Sequence, residues 1–200
     1  GIYNTGILTL TNSTVSGNQA TNLVGLGGGI HSSFGSVAVI RYSTLTGNSA
    51  PDDGMGGGLH VEGGTVTLIG SIVSGNSAPT RAEIAVTNGG ILTVNGNPGM
   101  DGATPGATDL VPGGALNSIL NPTLAGNGGD SATHDLVVGG PAHNAIPANS
   151  QGRGATITQD QRGVTRPTSG GCDSGAVEST TAVPTPTPPL PAADATAVAQ

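Results

Sequence analysis

Aliphatic and polar residues alternate along the first half of the chain. Short runs in which every second side chain is aliphatic, such as Ile7-Leu8-Thr9-Leu10-Thr11 and Thr65-Val66-Thr67-Leu68, are separated by Gly-Asn and Gly-Gly-Gly punctuation. A period of two places successive side chains on opposite faces of a strand. Gly and Asn tolerate left-handed backbone angles and so mark the turns between runs. No window carries the stripe of an amphipathic helix. The runs also recur as a set. Ser13-Thr14-Val15-Ser16-Gly17-Asn18 returns as Ser43-Thr44-Leu45-Thr46-Gly47-Asn48 and as Ser71-Ile72-Val73-Ser74-Gly75-Asn76, offset by 30 and then 28 residues. Gly1-Ile2-Tyr3, Gly29-Ile30-His31 and Gly58-Leu59-His60 recur at 28 and 29. Two separate blocks sharing one period define an internal repeat.

Aligned on that period, the aliphatic columns are Ile2/Ile30/Leu59, Leu8/Ala38/Val66, Leu10/Ile40/Leu68 and Val15/Leu45/Val73. Thr9/Val39/Thr67 and Ser16/Thr46/Ser74 lie between them. Three short strands per repeat predict an all-β, right-handed parallel β-helix with the aliphatic columns inside. Coils would stack at roughly 4.8 Å, so equivalent residues touch. Asn18, Asn48 and Asn76 then form an amide ladder at one corner, beside a hydroxyl column of Ser13, Ser43 and Ser71. A degraded fourth coil is expected from Ile84, Leu92 and Val94, which follow Leu59, Val66 and Leu68 by 25 or 26 residues and lack the Ser-Gly-Asn corner. The predicted organisation is therefore coils over 1–97, an irregular C-terminal cap over 98–178 that closes the last coil against edge pairing, and a disordered Pro/Thr-rich linker over 179–200. Gly1 falls in mid-coil, so the chain reads as the later part of a longer protein. Its open first coil is expected to self-associate.

Composition fits this picture. Charged residues are 8% and aromatics 2%, against about 25% charged in an average domain, so the core must be aliphatic and the surface Ser, Thr, Asn and Gly. With net charge −7, five Arg and no Lys, there is no basic stripe to displace counterions, and nucleic acid is not expected as a partner. A single Cys excludes an internal disulfide framework and a Cys-based zinc site. No apolar run approaches the roughly 18 residues of a transmembrane segment.

The repeat Gly-Ile-Tyr-Asn…Leu-Thr-Leu-Thr-Asn-Ser-Thr-Val-Ser-Gly-Asn resembles those of bacterial surface β-helix proteins, including the polymorphic outer-membrane protein group. The C-terminal part resembles the choice-of-anchor Q domain. That resemblance is carried by Asn121-Pro122-Thr123-Leu124, Asn127-Gly128-Gly129, Thr133-His134-Asp135-Leu136, Asp160-Gln161-Arg162-Gly163-Val164-Thr165-Arg166-Pro167 and Cys172-Asp173-Ser174-Gly175-Ala176-Val177-Glu178. It implies export, an extracellular or cell-surface location and attachment through whatever follows the domain. Members of that family often carry a second Cys before the Asp-Gln-Arg-Gly motif. Here Ala155-Thr156-Ile157-Thr158 stands in its place, leaving Cys172 without its usual partner.

Candidate chemistry is sparse. His31 and His60 fall in one column below Tyr3, where stacked imidazoles could clasp a metal; the simpler expectation is an outward, solvated, neutral stack. Asp52 and Asp53, with Glu62 nearby, could bind calcium or act as acid and base in glycoside hydrolysis, but neighbouring loops supply no matching acids and a solvated loop is expected. Lyases of this shape need a basic residue beside the uronate carboxylate, and the repeats offer only Arg41 and Arg81. Asp160, Arg162, Arg166, Asp173 and Glu178 are the densest charge, expected as an Arg–carboxylate network pinning the cap to the last coil. Asn12-Ser13-Thr14 is a lone glycosylation sequon. The functional expectation is a non-catalytic structural or adhesive module that meets cell-surface glycans or the cell envelope and needs no metal or cofactor. The alternative is the distal fragment of a β-helix polysaccharide lyase or glycoside hydrolase with its site in upstream coils.

Overall fold

The computed structural model describes residues 1–21, 25–51, 53–95, 115–147, 157–167 and 171–179. All of the linker but Ser179, and the opening of the C-terminal region read from the sequence, lie outside them. The first coil supplies β1 (Ile2–Asn4), β2 (Ile7–Thr11) and β3 (Thr14–Ser16). The second supplies β4 (Ile30–Ser32), β5 (Val37–Arg41) and β6 (Thr44–Thr46), and the third β7 (Leu59–Glu62), β8 (Thr65–Ile69) and β9 (Ile72–Val73). A partial fourth coil holds β10 (Ile84–Thr87) and β11 (Ile91–Asn95). Every strand pairs in parallel with its counterpart in the neighbouring coil. The result is a first sheet β1-β4-β7-β10, a second sheet β2-β5-β8-β11 and a third sheet β3-β6-β9. This is a parallel β-solenoid of about three turns, almost without helix.

The register follows the aliphatic columns. Ile2 pairs with Ile30, Ile30 with Leu59, and Leu59 with Ile84. Val66 and Leu68 pair with Leu92 and Val94, so the degraded coil stacks where its apolar residues placed it. A one-residue slip would turn every one of these side chains outward, and that fixes the pairing. Ile30, Leu45, Leu59, Val66, Leu68 and Val73 are wholly buried in one continuous cluster. Burying each is worth about 1.5–3 kcal/mol, which is how a core with almost no rings is sustained.

Each coil bends at fixed columns of left-handed backbone. Gly17, Gly47 and Gly75 have φ of 69°, 64° and 74° immediately before the corner asparagines. The bend between second and third sheets is made by Asn12, Tyr42 and Gly70 at φ 49°, 45° and 52°. A tyrosine there costs about 1–2 kcal/mol of backbone strain, which its burial must outweigh.

The C-terminal residues run along the flank. Leu116–Ile119 form a single helical turn, α1, and Ile119, Leu120 and Ala142 pack on Ile72. Ile146, Ile157 and Cys172 enclose Tyr42. Thr14 and Thr44 hold the outward position that Ile72 takes in the third coil, and both bond to the same segment: Thr14 Oγ1 donates to Gln161 Oε1 (2.7 Å), and Ala176 N donates to Thr44 Oγ1 (3.0 Å). The outer face of the third sheet is thereby covered across all three coils.

Candidate functional site

The corner asparagines are joined by their amides. Asn18 Nδ2 donates to Asn48 Oδ1 at 3.0 Å, and Asn48 Nδ2 to Asn76 Oδ1 at 2.9 Å. The backbone N–H of Asn18 and of Asn48 donates to the same two oxygens at 3.1 and 3.0 Å. Asn48 Nδ2 also reaches Val15 O at 2.9 Å, so all four hydrogen-bonding capacities of this buried amide are filled. The ladder has a direction, with each coil donating to the next.

Where a fourth asparagine would stand, Glu83 closes the ladder. Its carboxylate accepts from Asn76 Nδ2 at 2.7 Å, Asn76 N at 3.2 Å and Gly75 N at 2.8 Å. Glu83 precedes Ile84 and so falls in the column of Gly1, Gly29 and Gly58. Those positions are glycine because the next coil's carbonyl lies against them: a Cβ would come 2.7 Å from Gly29 O at Gly1, 2.5 Å from Gly58 O at Gly29 and 2.8 Å from Glu83 O at Gly58. The corner asparagine crowds the last two as well, with Asn48 Nδ2 3.0 Å from a Cβ on Gly29 and Asn76 Nδ2 2.6 Å from one on Gly58. The coil without a corner asparagine carries a side chain in place of glycine. Sequence reasoning missed Glu83, although the break in both columns at one coil was the signal.

The densest charge forms two joined clusters. Arg162 Nε and Nη2 clasp Asp160 Oδ2 at 3.0 and 2.9 Å, while Nη1 reaches Asn127 O at 3.2 Å and Asp135 Oδ1 at 3.5 Å. Asp160 Oδ1 takes the backbone N–H of Arg162 (2.7 Å) and of Val164 (2.9 Å), closing the turn. Its Oδ2 accepts from Glu178 N at 2.8 Å, and Arg162 Nη2 donates to Glu178 O, so the backbone of Glu178 links this cluster to the next. There Arg166, fully buried, donates to Glu178 Oε2 at 2.8 Å, Gly175 O at 2.8 Å and Asp173 O at 3.2 Å. It also donates to Asn12 Oδ1 at 3.1 Å and lies 4.7 Å above the Tyr42 ring. Asp173 receives Asn144 N at 2.6 Å and the N–H and hydroxyl of Ser179.

Arg166 therefore meets the first and second coils, through Asn12 and Tyr42, where the sequence reading put this network against the last coil. The reason is local: the bend column that contains Asn12 and Tyr42 projects from the flank that the segment covers. Burial, and next the Asp173 carboxylate, raise the pKa of Glu178 from 4.5 to about 7 against the pull of Arg166.

The histidine column departs from the expected solvated stack. The His31 and His60 rings are 5.0 Å apart, with Tyr3 edge-on to His31 at 5.1 Å. His31 Nε2 contacts Glu62 Oε2 at 3.1 Å, and Glu62 Oε1 accepts from Asn88 at 3.0 Å. His60 is only 1% exposed, with Nε2 on Thr87 Oγ1 at 2.8 Å. Burial first, then His31, lowers its pKa from 6.5 to about 4. Among the described residues no three His, Cys, Asp or Glu side chains are grouped to hold a metal. Asp53 is exposed in its loop, and Asp52 lies outside the described residues.

Two further contacts were not read from the sequence. His134 Nδ1 must donate to Asn121 O (2.9 Å), because a carbonyl only accepts, and in the neutral ring Nε2 then accepts from the Ser16 hydroxyl at 2.8 Å. This is the pairing that activates serine nucleophiles. Here it joins β3 to the C-terminal segment with the imidazole buried, and it acts as a docking contact. Asn12, the sequon residue, spends its amide on Gln159 O at 2.6 Å and on Arg166.

An open cleft of about 400 Å³ beside Gly1 is lined by Tyr3, Gln19, Leu26 and His31, and another of about 320 Å³ by Asn127, Asp135, Arg162 and Ser179. Neither gathers groups suited to one reaction. The chain matches no family model, no curated protein and no solved structure.

Proposed function

We propose that the protein is a non-catalytic structural and adhesive module of a secreted or cell-surface bacterial β-helix protein, its C-terminal region serving surface attachment. The observation that carries this reading is the use made of the polar side chains. Asparagines, Glu83 and both Arg–carboxylate clusters are spent on holding coil to coil and segment to flank, as suits a stalk. The resemblance to polymorphic outer-membrane protein repeats and to the choice-of-anchor Q domain supports export and surface location. The low charge and the accessible Thr9, Thr67 and Thr93 of the second sheet suit contact with neutral surface glycans or the cell envelope.

The test is incubation of the purified chain with a panel of polysaccharides, scoring both retention and release of new chain ends. Retention without cleavage is expected. Release of chain ends overturns the reading in favour of a lyase or hydrolase, and failure to bind any polysaccharide or bacterial surface removes the adhesive half of it.

A further inference from the structure

We propose that the outer face of the second sheet is a self-association surface that takes a second copy of this chain, face to face. The first sheet buries His60 and Ala85 on its outward side, and the third is covered by the C-terminal segment. The second sheet keeps the outward residues of its first two columns accessible, while its third outward column, Thr11, Arg41, Ile69 and Asn95, carries one cation and a buried isoleucine at the edge of the face. Its first outward column is Ile7, Val37, Thr65 and Ile91, and the next is Thr9, Val39, Thr67 and Thr93. All eight are β-branched and none is charged, which gives a flat surface of stiff side chains in two straight rows.

Exposure is concentrated there. Ile7, Val37 and Ile91 are 87%, 42% and 57% exposed, and Phe34, laid over Gly63 at the turn into β5, is 62% exposed. A contiguous patch of this kind marks an interaction surface, whereas scattered single residues do not.

Charge chooses the occupant, and area sets how weakly it is held. The chain carries net charge −7, so two copies repel over most of their surfaces. None of the acids stands on these two columns, so this is the face on which two copies can approach without that cost. Straight rows of β-branched side chains also mesh with an identical set when two sheets pack about 10 Å apart, related by a twofold axis. Four strands by five residues span about 19 by 16 Å. That is well short of the ~800 Å² per partner of a stable interface, so the dimer is weak and concentration-dependent. The inference is independent of the glycan reading, which polysaccharide retention tests separately.

Sedimentation equilibrium of the full chain should show the average mass rising from monomer toward dimer over roughly 0.05–1 mM. Val39→Asp, and separately Thr67→Asp, sets like charges across the twofold axis and should weaken association at least about tenfold. Circular dichroism checks that each variant keeps its strands, and the two are on different coils so that one can serve if the other misfolds. A wild-type chain that stays monomeric to 1 mM overturns the proposal, whether or not the face then binds a glycan or another lattice-like surface. Association that persists unchanged in a folded variant also overturns it and transfers the contact to the strand edges.

Discussion

At Asn48 one side chain satisfies four partners with no water access, and that makes it the most costly polar residue in the coils to lose. Asn48→Ala should leave the Asn18 amide and Val15 O unpaired and destabilise the chain by about 2–4 kcal/mol, read as a lower urea midpoint at unchanged slope. Asn48→Asp keeps the shape, removes both donors and buries a charge, so its midpoint should fall at least as far. The same reasoning applies one coil later. Glu83→Ala strands three donors from Gly75 and Asn76, and should cost about as much as Asn48→Ala. The asparagine column was legible in the sequence because the Ser-Gly-Asn triplet repeats as a unit. Glu83 was not, because its role arises from two absences at once, a missing asparagine and a missing glycine, and such compensation shows only when the coils are stacked.

The element scale brings in pH, because two titrating groups sit in different elements and work in opposite directions. His60 lies on β7 and is held neutral, with a folded pKa near 4 below its ordinary 6.5. Between those values the unfolded chain binds the extra proton, so stability falls as pH drops from 6.5 toward 4. Glu178 ends the C-terminal segment with a folded pKa near 7 above its ordinary 4.5, so here the folded chain holds the proton more tightly. Its contribution is greatest below 4.5 and is lost as pH rises to about 7. Hydrogen exchange resolved by peptide should therefore show β7 loosening in acid, and the peptide over 171–179 loosening toward neutral pH. His60→Gln, which can still bond Thr87 but does not titrate, should flatten the first dependence, and Glu178→Gln the second. Strands and register were legible because their period of two is local. The course of the C-terminal segment was not, since its bridges are isolated pairs such as Ile146 with Cys172 and its glycines and prolines carry no period. One hint did exist. Ile72 is apolar at an outward position filled by threonine in the other coils, as a covered face requires.

Across the whole molecule, a solenoid is stabilised coil by coil, each touching only its neighbours, and left alone it would fray from its ends. The C-terminal segment changes that connectivity by touching every complete coil: Asn12, Thr14 and Ser16 in the first, Tyr42 and Thr44 in the second, Gly70 and Ile72 in the third. Sequence-distant contacts of this kind make coils that could melt separately unfold together. Arg166 is the centre of the arrangement, since one guanidinium binds Asn12, stacks on Tyr42 and holds Glu178 and the carbonyls of Asp173 and Gly175. Arg166→Met keeps much of the volume and drives Glu178 further toward its protonated form, but strips the donors from Asn12 Oδ1, Glu178 Oε2 and the carbonyls of Gly175 and Asp173, and these unpaired acceptors cost about 3–5 kcal/mol together. The loss should fall first on the segment. Wild-type protein should melt in a single transition with strand and segment probes coincident, and Arg166→Met should melt in two, the segment releasing before the coils. Combining Arg166→Met with Glu178→Gln removes the group whose ionisation loosens the segment as pH rises and should recover part of the segment's stability above neutral pH. Coincident melting in the single variant would mean that the apolar contacts of Ile72 and Tyr42 already couple the coils without the guanidinium.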